Sequence, residues 1–200
     1  MLHNVQSTYR SKRLEFIRLD KDDQDAKDFF QQSLNDPETY ALAMTMLMRP
    51  QGPKQIEAVM AGYADAVLPL LICLPAVDAS SKRTIIGELV IGEDGISVSM
   101  AQHRNIALGL LLLKEYQGQG YGPEALNWAL DWCFRHAGMH TVSIATASFN
   151  TRAAALYEKM GFVVEGRKRQ VIWYDREWYD SILFSMTEHE WEALRGIKKA

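Results

Sequence analysis

Residues 115–126 read EYQGQGYGPEAL, with glycine at 118, 120 and 122. Just upstream, residues 106–113 read IALGLLLL, an apolar run of strand length, buried on both faces if it is central in a sheet. Just downstream, Pro123 and Glu124 suit a first helical turn, the proline by its fixed φ and the acid by the positive helix end. Ala125, Leu126, Ala129, Leu130, Cys133 and Phe134 then make an apolar helix stripe that Trp128 and Trp132 widen. The order is strand, glycine-rich turn, helix. Such a turn gathers backbone N–H groups at the positive end of a helix, which is a site for an anion.

Three anion-binding turns compete for this stretch. A nucleoside-triphosphate loop needs GxxxxGK[ST], and no Lys-Ser or Lys-Thr follows here. A dinucleotide fingerprint, GxGxx[GA], does fit residues 120–125. That fingerprint belongs in an early βαβ unit with an acid at the end of the next strand. Here it lies past mid-chain, and the next strand, TVSIATASFN, ends without an acid. The third pattern, [QR]xxGx[GA], is matched throughout by Gln117, Gly118, Gln119, Gly120, Tyr121 and Gly122. As a binding site it would be a diphosphate-holding arm in which glycine lets the backbone approach the phosphates, and a plain strand-to-helix loop with glycines fits the turn alone equally well.

Working outward, residues 12–19 alternate like a strand, and Ala26, Phe29, Phe30 and Leu34 fall at helical spacing within 20–34. Helices are predicted over 40–48 and 54–65, and strands over 66–76 and 84–91, joined by the polar link 78–82. Glu93-Asp94-Gly95 signals a turn. Residues 141–147 read as a strand, Asn150 as the N-cap of a helix over 151–160, and Gly161 as its stop. Strands at 162–164, 170–174 and 181–186 follow, with a turn at 175–177. The sum is one α/β domain with mixed strand directions and a late hairpin.

The 200 residues carry a net charge of −3 and are 48% hydrophobic, enough for a sizeable core. Nothing points to nucleic acid or to an anionic membrane, and the short Arg167-Lys168-Arg169 cluster reads as a solvated face. Cys73 and Cys133 sit in apolar runs as small buried hydrophobes, and neither CxxC nor HExxH spacing suggests a metal. The polar N-terminus lacks a signal-peptide core, so a cytoplasmic protein is expected.

The glycine turn is followed in order by a long helix, a strand, and Asn150 through Phe162, including the run LYEKMGF. That ordered set resembles the GCN5-related N-acetyltransferase family. The later segments EGR and WYDREWYDSILFSM look like its RimJ/RimL-type and spermidine-acetyltransferase-type branches. The resemblance covers residues 84–191, the cofactor core and hairpin of a single domain over 1–200 whose residues 1–11 are expected to be flexible. It implies a mixed sheet of six to seven strands with helices on both faces and two splayed central strands, 106–113 and 141–147. It also implies acetyl-CoA as cosubstrate, a primary amine as acceptor, and family members that are often homodimers.

Carried over by position, Leu111, Leu112 and Leu113 would pair with the pantetheine, as an added strand would. Gln117, Gly118, Gln119, Gly120, Tyr121 and Gly122 would hold the pyrophosphate. Asn150 would touch the cofactor arm, and Tyr157, two helical turns on, would face the sulfur. Many RimJ/RimL-like members carry Glu early in the fourth strand; that place is Ala107 here. Glu88 and His103 are then the candidate bases. A base matters because at about pH 7 an α-amine of pKa about 8 is roughly 10% neutral, and an alkyl amine near 10.4 only about 0.04%. The acceptor cleft is expected between the first helices and the late hairpin, around Tyr40, Met44, Met46, Met48, Trp173, Tyr174, Trp178 and Tyr179. Protein N-terminal α-amines, small-molecule amines and polyamines all remain as acceptors. The alternative class is a non-catalytic acyl-CoA-binding module that has lost its base.

Overall fold

The computed structural model describes residues 8–76, 78, 81–93, 95 and 97–197. The predicted link 78–82 and turn 93–95 therefore fall partly outside the described residues, as do residues 1–7 of the segment expected to be flexible. Residues 8–13 make defined contacts: Trp128 donates to the Thr8 carbonyl, and Arg10 pairs with Glu15.

Among the described residues, seven strands form one sheet: β1 (Glu15–Arg18), β2 (Leu68–Leu74), β3 (Thr84–Ile91), β4 (Asn105–Leu112), β5 (Thr141–Ala147), β6 (Val163–Tyr174) and β7 (Glu177–Thr187). Their order is β1-β2-β3-β4-β5-β7-β6. All neighbours are antiparallel except β4 and β5, which are parallel. The one parallel pair needs a crossover, and the helix after the glycine turn supplies it.

Helices α1 (Gln24–Asn35), α2 (Pro37–Ala43) and α3 (Pro53–Gly62) lie on one face. Asp23 caps α1 by accepting from the Asp25 N–H, and Ala26, Phe29, Phe30, Ser33 and Leu34 form its buried stripe. Asp36 caps α2 directly after, with Pro37 in the first turn. This helix ends at Ala43 rather than running over 40–48: the cap and proline pull its start forward, and the chain leaves it extended at Met44. The other face carries α4 (Tyr121–Arg135), α5 (Thr151–Lys159) and α6 (Glu188–Leu194). The α4 stripe is buried as its spacing predicts. Cys73 and Cys133 are free and buried in separate clusters, and burial pushes both thiols up to about 12.

The late strands are longer than expected. Two bulges let β6 run without interruption from Val163 to Tyr174, and the hairpin closes on Asp175 and Arg176, both at positive φ. Helix α6 was not foreseen. Its signal is local: Thr187 and Glu190 form a capping box, and Trp191 stacks on Phe134 at 5.3 Å.

Candidate active site

The strand pair β4–β5 holds together over only three residues. Asn105, Ile106 and Ala107 pair with Thr141, Val142 and Ser143. From there β4 pairs only with β3, and β5 only with β7. A gap opens inside the sheet. Burial along β4 alternates, with Ile106 and Leu108 buried and Ala107 and Gly109 exposed, so the strand is not covered on both faces as a central strand would be.

The hydrogen bonds fix which backbone groups look into that gap. Gly92 donates to the Ala107 carbonyl at 2.8 Å, and Leu113 donates to the Ile86 carbonyl at 2.9 Å. Both residues therefore turn toward β3. By antiparallel alternation Gly109 and Leu111 do the same, and Leu108, Leu110 and Leu112 turn their N–H and C=O groups into the gap. This corrects the carry-over onto Leu111 and Leu113. Leu111 borders the gap but is bonded toward β3; Leu113 is buried in the α1–α3 core, with its carbonyl taken by Tyr116. Leu112 faces the gap, and its carbonyl accepts from the Gln117 side chain at 2.8 Å.

A cavity of about 610 Å³ fills the gap. Its walls are β4 from Leu108 to Leu112, β5 from Ile144 to Thr146, the glycine turn, the start of α5, and Leu42 and Ala43 of α2. At the turn, Gly118 and Gly120 hold φ of +75° and +82°, and Gly120 is the N-cap of α4. The helix begins at Tyr121, so Pro123 sits two residues deeper than its sequence suggested. It still lies in the first turn, where its missing N–H costs no helix bond. Gln117, Gly118, Gly120 and Gly122 line the cavity; Gln119 and Tyr121 do not. Gln119 instead bonds the Glu115 carbonyl, and Tyr121 lies beneath Arg13.

Arg13 is the residue sequence reasoning missed. Its Nε pairs with Glu124 at 2.7 Å, its Nη1 donates to the Gln119 carbonyl at 3.0 Å, and its guanidinium lies 4.5 Å above the Tyr121 ring. Glu124 also accepts from the Arg13 N–H and the Ser11 hydroxyl, each at 2.7 Å. Burial pushes the Glu124 carboxyl up, but these hydrogen bonds outweigh it and hold the group below its ordinary value. The expected partner of Glu124 was the helix dipole alone. No spacing rule joins positions 111 residues apart.

Asn150 caps α5, accepting from the Ala153 N–H at 3.1 Å, and also donates to the Leu42 carbonyl of α2 at 3.3 Å. Its side chain ties two cavity walls together. Tyr157 faces the cavity from α5 and is otherwise buried, which pushes its phenol up to about 12.

Neither candidate base reaches the cavity wall. Glu88 is buried beside the 3-10 turn that follows α3, 3.4 Å from the Tyr63 hydroxyl, with its second oxygen unpartnered. Burial pushes its carboxyl up to about 8. His103 is exposed in a 3-10 turn before β4, at the opposite end of that strand from the glycine turn. Ala107 lies where the strands last pair. Among the described residues, the one carboxylate on the wall is Glu38 of α2, which is ion-paired with Lys114.

The expected acceptor residues separate. Tyr40 is core beneath α2, while Met46 and Met48 are exposed on the loop after it. Tyr174 and Tyr179 share one face of the hairpin and pack on Phe149, which lines the cavity. Trp173 and Trp178 are a register pair on the opposite face.

Comparison with known proteins gives a family from sequence and a shared fold from structure. A family model described as an acetyltransferase (GNAT) domain matches residues 13–163. Among curated relatives, the SPbeta prophage-derived uncharacterized N-acetyltransferase YokL of Bacillus subtilis is 33% identical over 87 residues, 44% of this chain and 49% of that protein. The spermidine N(1)-acetyltransferase of Vibrio cholerae is 36% identical over 64 residues, 32% of this chain and 37% of that protein. The [ribosomal protein uS5]-alanine N-acetyltransferase of Escherichia coli is 29% identical over 88 residues, 44% of this chain and 45% of that protein. The aligned stretch spans about half the length of such relatives or less. Over the whole fold, a crystal structure of V. cholerae spermidine N-acetyltransferase in complex with CoA and spermine superposes with a TM-score of 0.73 at 19% identity, covering 90% of this chain and 99% of that one. A GNAT-family acetyltransferase from Bacillus anthracis gives 0.71 at 16% identity, covering 90% and 98%.

Proposed function

Since the chain belongs to the acetyltransferase (GNAT) domain family, we propose that it transfers the acetyl group of acetyl-CoA to a primary amine by direct attack, as one transfer domain. The observation that carries this is the gap in the sheet. A sheet interior normally satisfies its backbone groups. Here Leu108, Leu110 and Leu112 turn theirs into a cavity that runs from a left-handed glycine turn to a buried phenol. An amide-bearing thread such as pantetheine pairs with those groups. The N-terminus of α4, which meets the cavity at Gly120 and Gly122, suits its diphosphate.

The chemistry follows from the groups in place. The neutral amine attacks the thioester carbonyl. Charge gathers on the carbonyl oxygen, which the N–H groups facing the gap stabilise. The C–S bond breaks, and the Tyr157 hydroxyl donates a hydrogen bond to the departing thiolate. Tyr157 acts as donor rather than acid: with its phenol at about 12 and a thiol near 8.5, full transfer runs uphill by roughly 5 kcal/mol. The amine sheds its proton to solvent. Glu88 and His103 have no part in this, because neither touches the cavity. With its cysteines unpaired, the protein suits the reducing cytoplasm.

The test is CoA-thiol release from acetyl-CoA across peptides with free N-termini, spermidine, aryl amines, amino sugars and amino acids. With a productive acceptor, log kcat/KM should rise with unit slope up to that amine's pKa, with no separate enzyme limb. A limb below the amine pKa would mean that an enzyme base takes the proton. Acetyl-CoA binding without release from any amine would make the protein a binding module.

A further inference from the structure

We infer that the acceptor is a monoamine carrying a flat apolar group beside its amine, and that this group rests on Phe149. The inference depends on the acetyl-transfer reading above and names its substrate class. Phe149 lies between β5 and α5 and lines the cavity. Its ring is held from behind. Tyr174 stacks on it at 4.9 Å and 25°, and Tyr179 meets it edge-on at 4.9 Å and 76°. A ring fixed on two sides offers a preformed flat surface, with little entropy left to lose on binding.

The floor beside it is open and uncharged. Strand alternation places Tyr179 and Leu183 on the same face of the sheet as Ala145, which pairs with Leu183 in register. Ala145 is exposed, as is Gly109 across the gap, so a small shelf leaves room for a substituent. Charge argues in the same direction. A polyamine brings further ammonium groups that each need an anionic partner once removed from water. Among the described residues the cavity wall has the single carboxylate Glu38, already paired with Lys114, and the Tyr179 hydroxyl is bonded to Glu177 at 2.8 Å. An aryl-alkyl amine therefore fits this wall better than spermidine does.

The experiment compares 2-phenylethylamine, butylamine and spermidine as acceptors, with rates corrected for the neutral-amine fraction. The wild-type protein should favour the aryl amine over butylamine by about tenfold or more in kcat/KM, and over spermidine by a similar factor. Phe149→Ala should bring the aryl-to-alkyl ratio to about one, with acetyl-CoA affinity by calorimetry within about threefold of wild type. Tyr174→Ala, a change at the half-exposed hairpin, should lower the same ratio by about threefold and serves if Phe149→Ala does not fold. Equal or greater use of butylamine or spermidine by the wild type overturns the inference while leaving acetyl transfer intact. So does a ratio that survives both variants. Lost acetyl-CoA affinity with an unchanged ratio would assign the ring to the cofactor instead. Thiol release from no amine at all would overturn the transfer reading itself.

Discussion

Replacing Glu88 with Gln should stabilise the protein, and only above acidic pH. The carboxyl is fully buried, has one oxygen near Tyr63 and the other unpartnered, and is pushed from 4.5 up to about 8. Between those values the folded state binds a proton that the unfolded chain gives up. Stability therefore falls as pH rises through that window. At 1.36 kcal/mol per unit, 3.5 units come to at most roughly 4–5 kcal/mol lost by pH 8. Gln keeps a hydrogen-bonding group for Tyr63 and removes the ionisation. For a chain of this size roughly 2 kcal/mol moves Tm by about 4–8 °C. Thermal unfolding of both proteins at pH 5 and pH 8.5 reads the difference. The two should nearly coincide at pH 5, and the variant should melt at least about 4 °C higher at pH 8.5. Parallel pH dependence, or a variant destabilised at pH 8.5, would show that Glu88 ionises readily where it sits. Turnover of the variant should stay within about twofold. A loss of a hundredfold would make Glu88 the base despite its distance from the cavity wall.

Other perturbations separate the parts of the site. Gly120→Glu places a charged side chain at φ +82° on the phosphate path, and calorimetry should find acetyl-CoA binding lost; unchanged affinity would remove the diphosphate from that turn. Tyr157→Phe should lower kcat by roughly 10–100-fold, the worth of a hydrogen bond to a charged atom, and leave acetyl-CoA affinity nearly intact. Equal turnover would make Tyr157 a packing residue. Arg13→Ala should raise KM for acetyl-CoA by about tenfold with little change in kcat, because the turn loses its brace. An unaltered KM would mean that the glycines hold their shape unaided.

Most of the frame was legible because it is written in local patterns. The 3.6-residue stripe of α4, the Asn150 cap and the apolar run of β3 each specify an element without help from the rest of the chain. The glycine turn was legible for the same reason: Gly118 and Gly120 hold left-handed angles, and only glycine adopts them freely. What escaped depends on tertiary direction. The sequence cannot say that Leu110 rather than Leu111 faces the gap, since that follows from the β3 register. Nor can it say that Glu88 lies under Tyr63, or that Trp173 and Tyr174 turn to opposite faces of one hairpin. The Arg13–Glu124 pair was invisible because its chemistry is ordinary and its separation in sequence is long.

The parting of β4 from β5 gives this protein a strand edge in its middle rather than at its rim. Exposed edges recruit stray chains, and proteins usually cover or blunt them. This one is recessed. Asn150 ties the end of α2 to the start of α5, so the slot has a roof. The bridge shelters the backbone groups of Leu108, Leu110 and Leu112, so the adhesive edge lies inside the fold instead of at its rim.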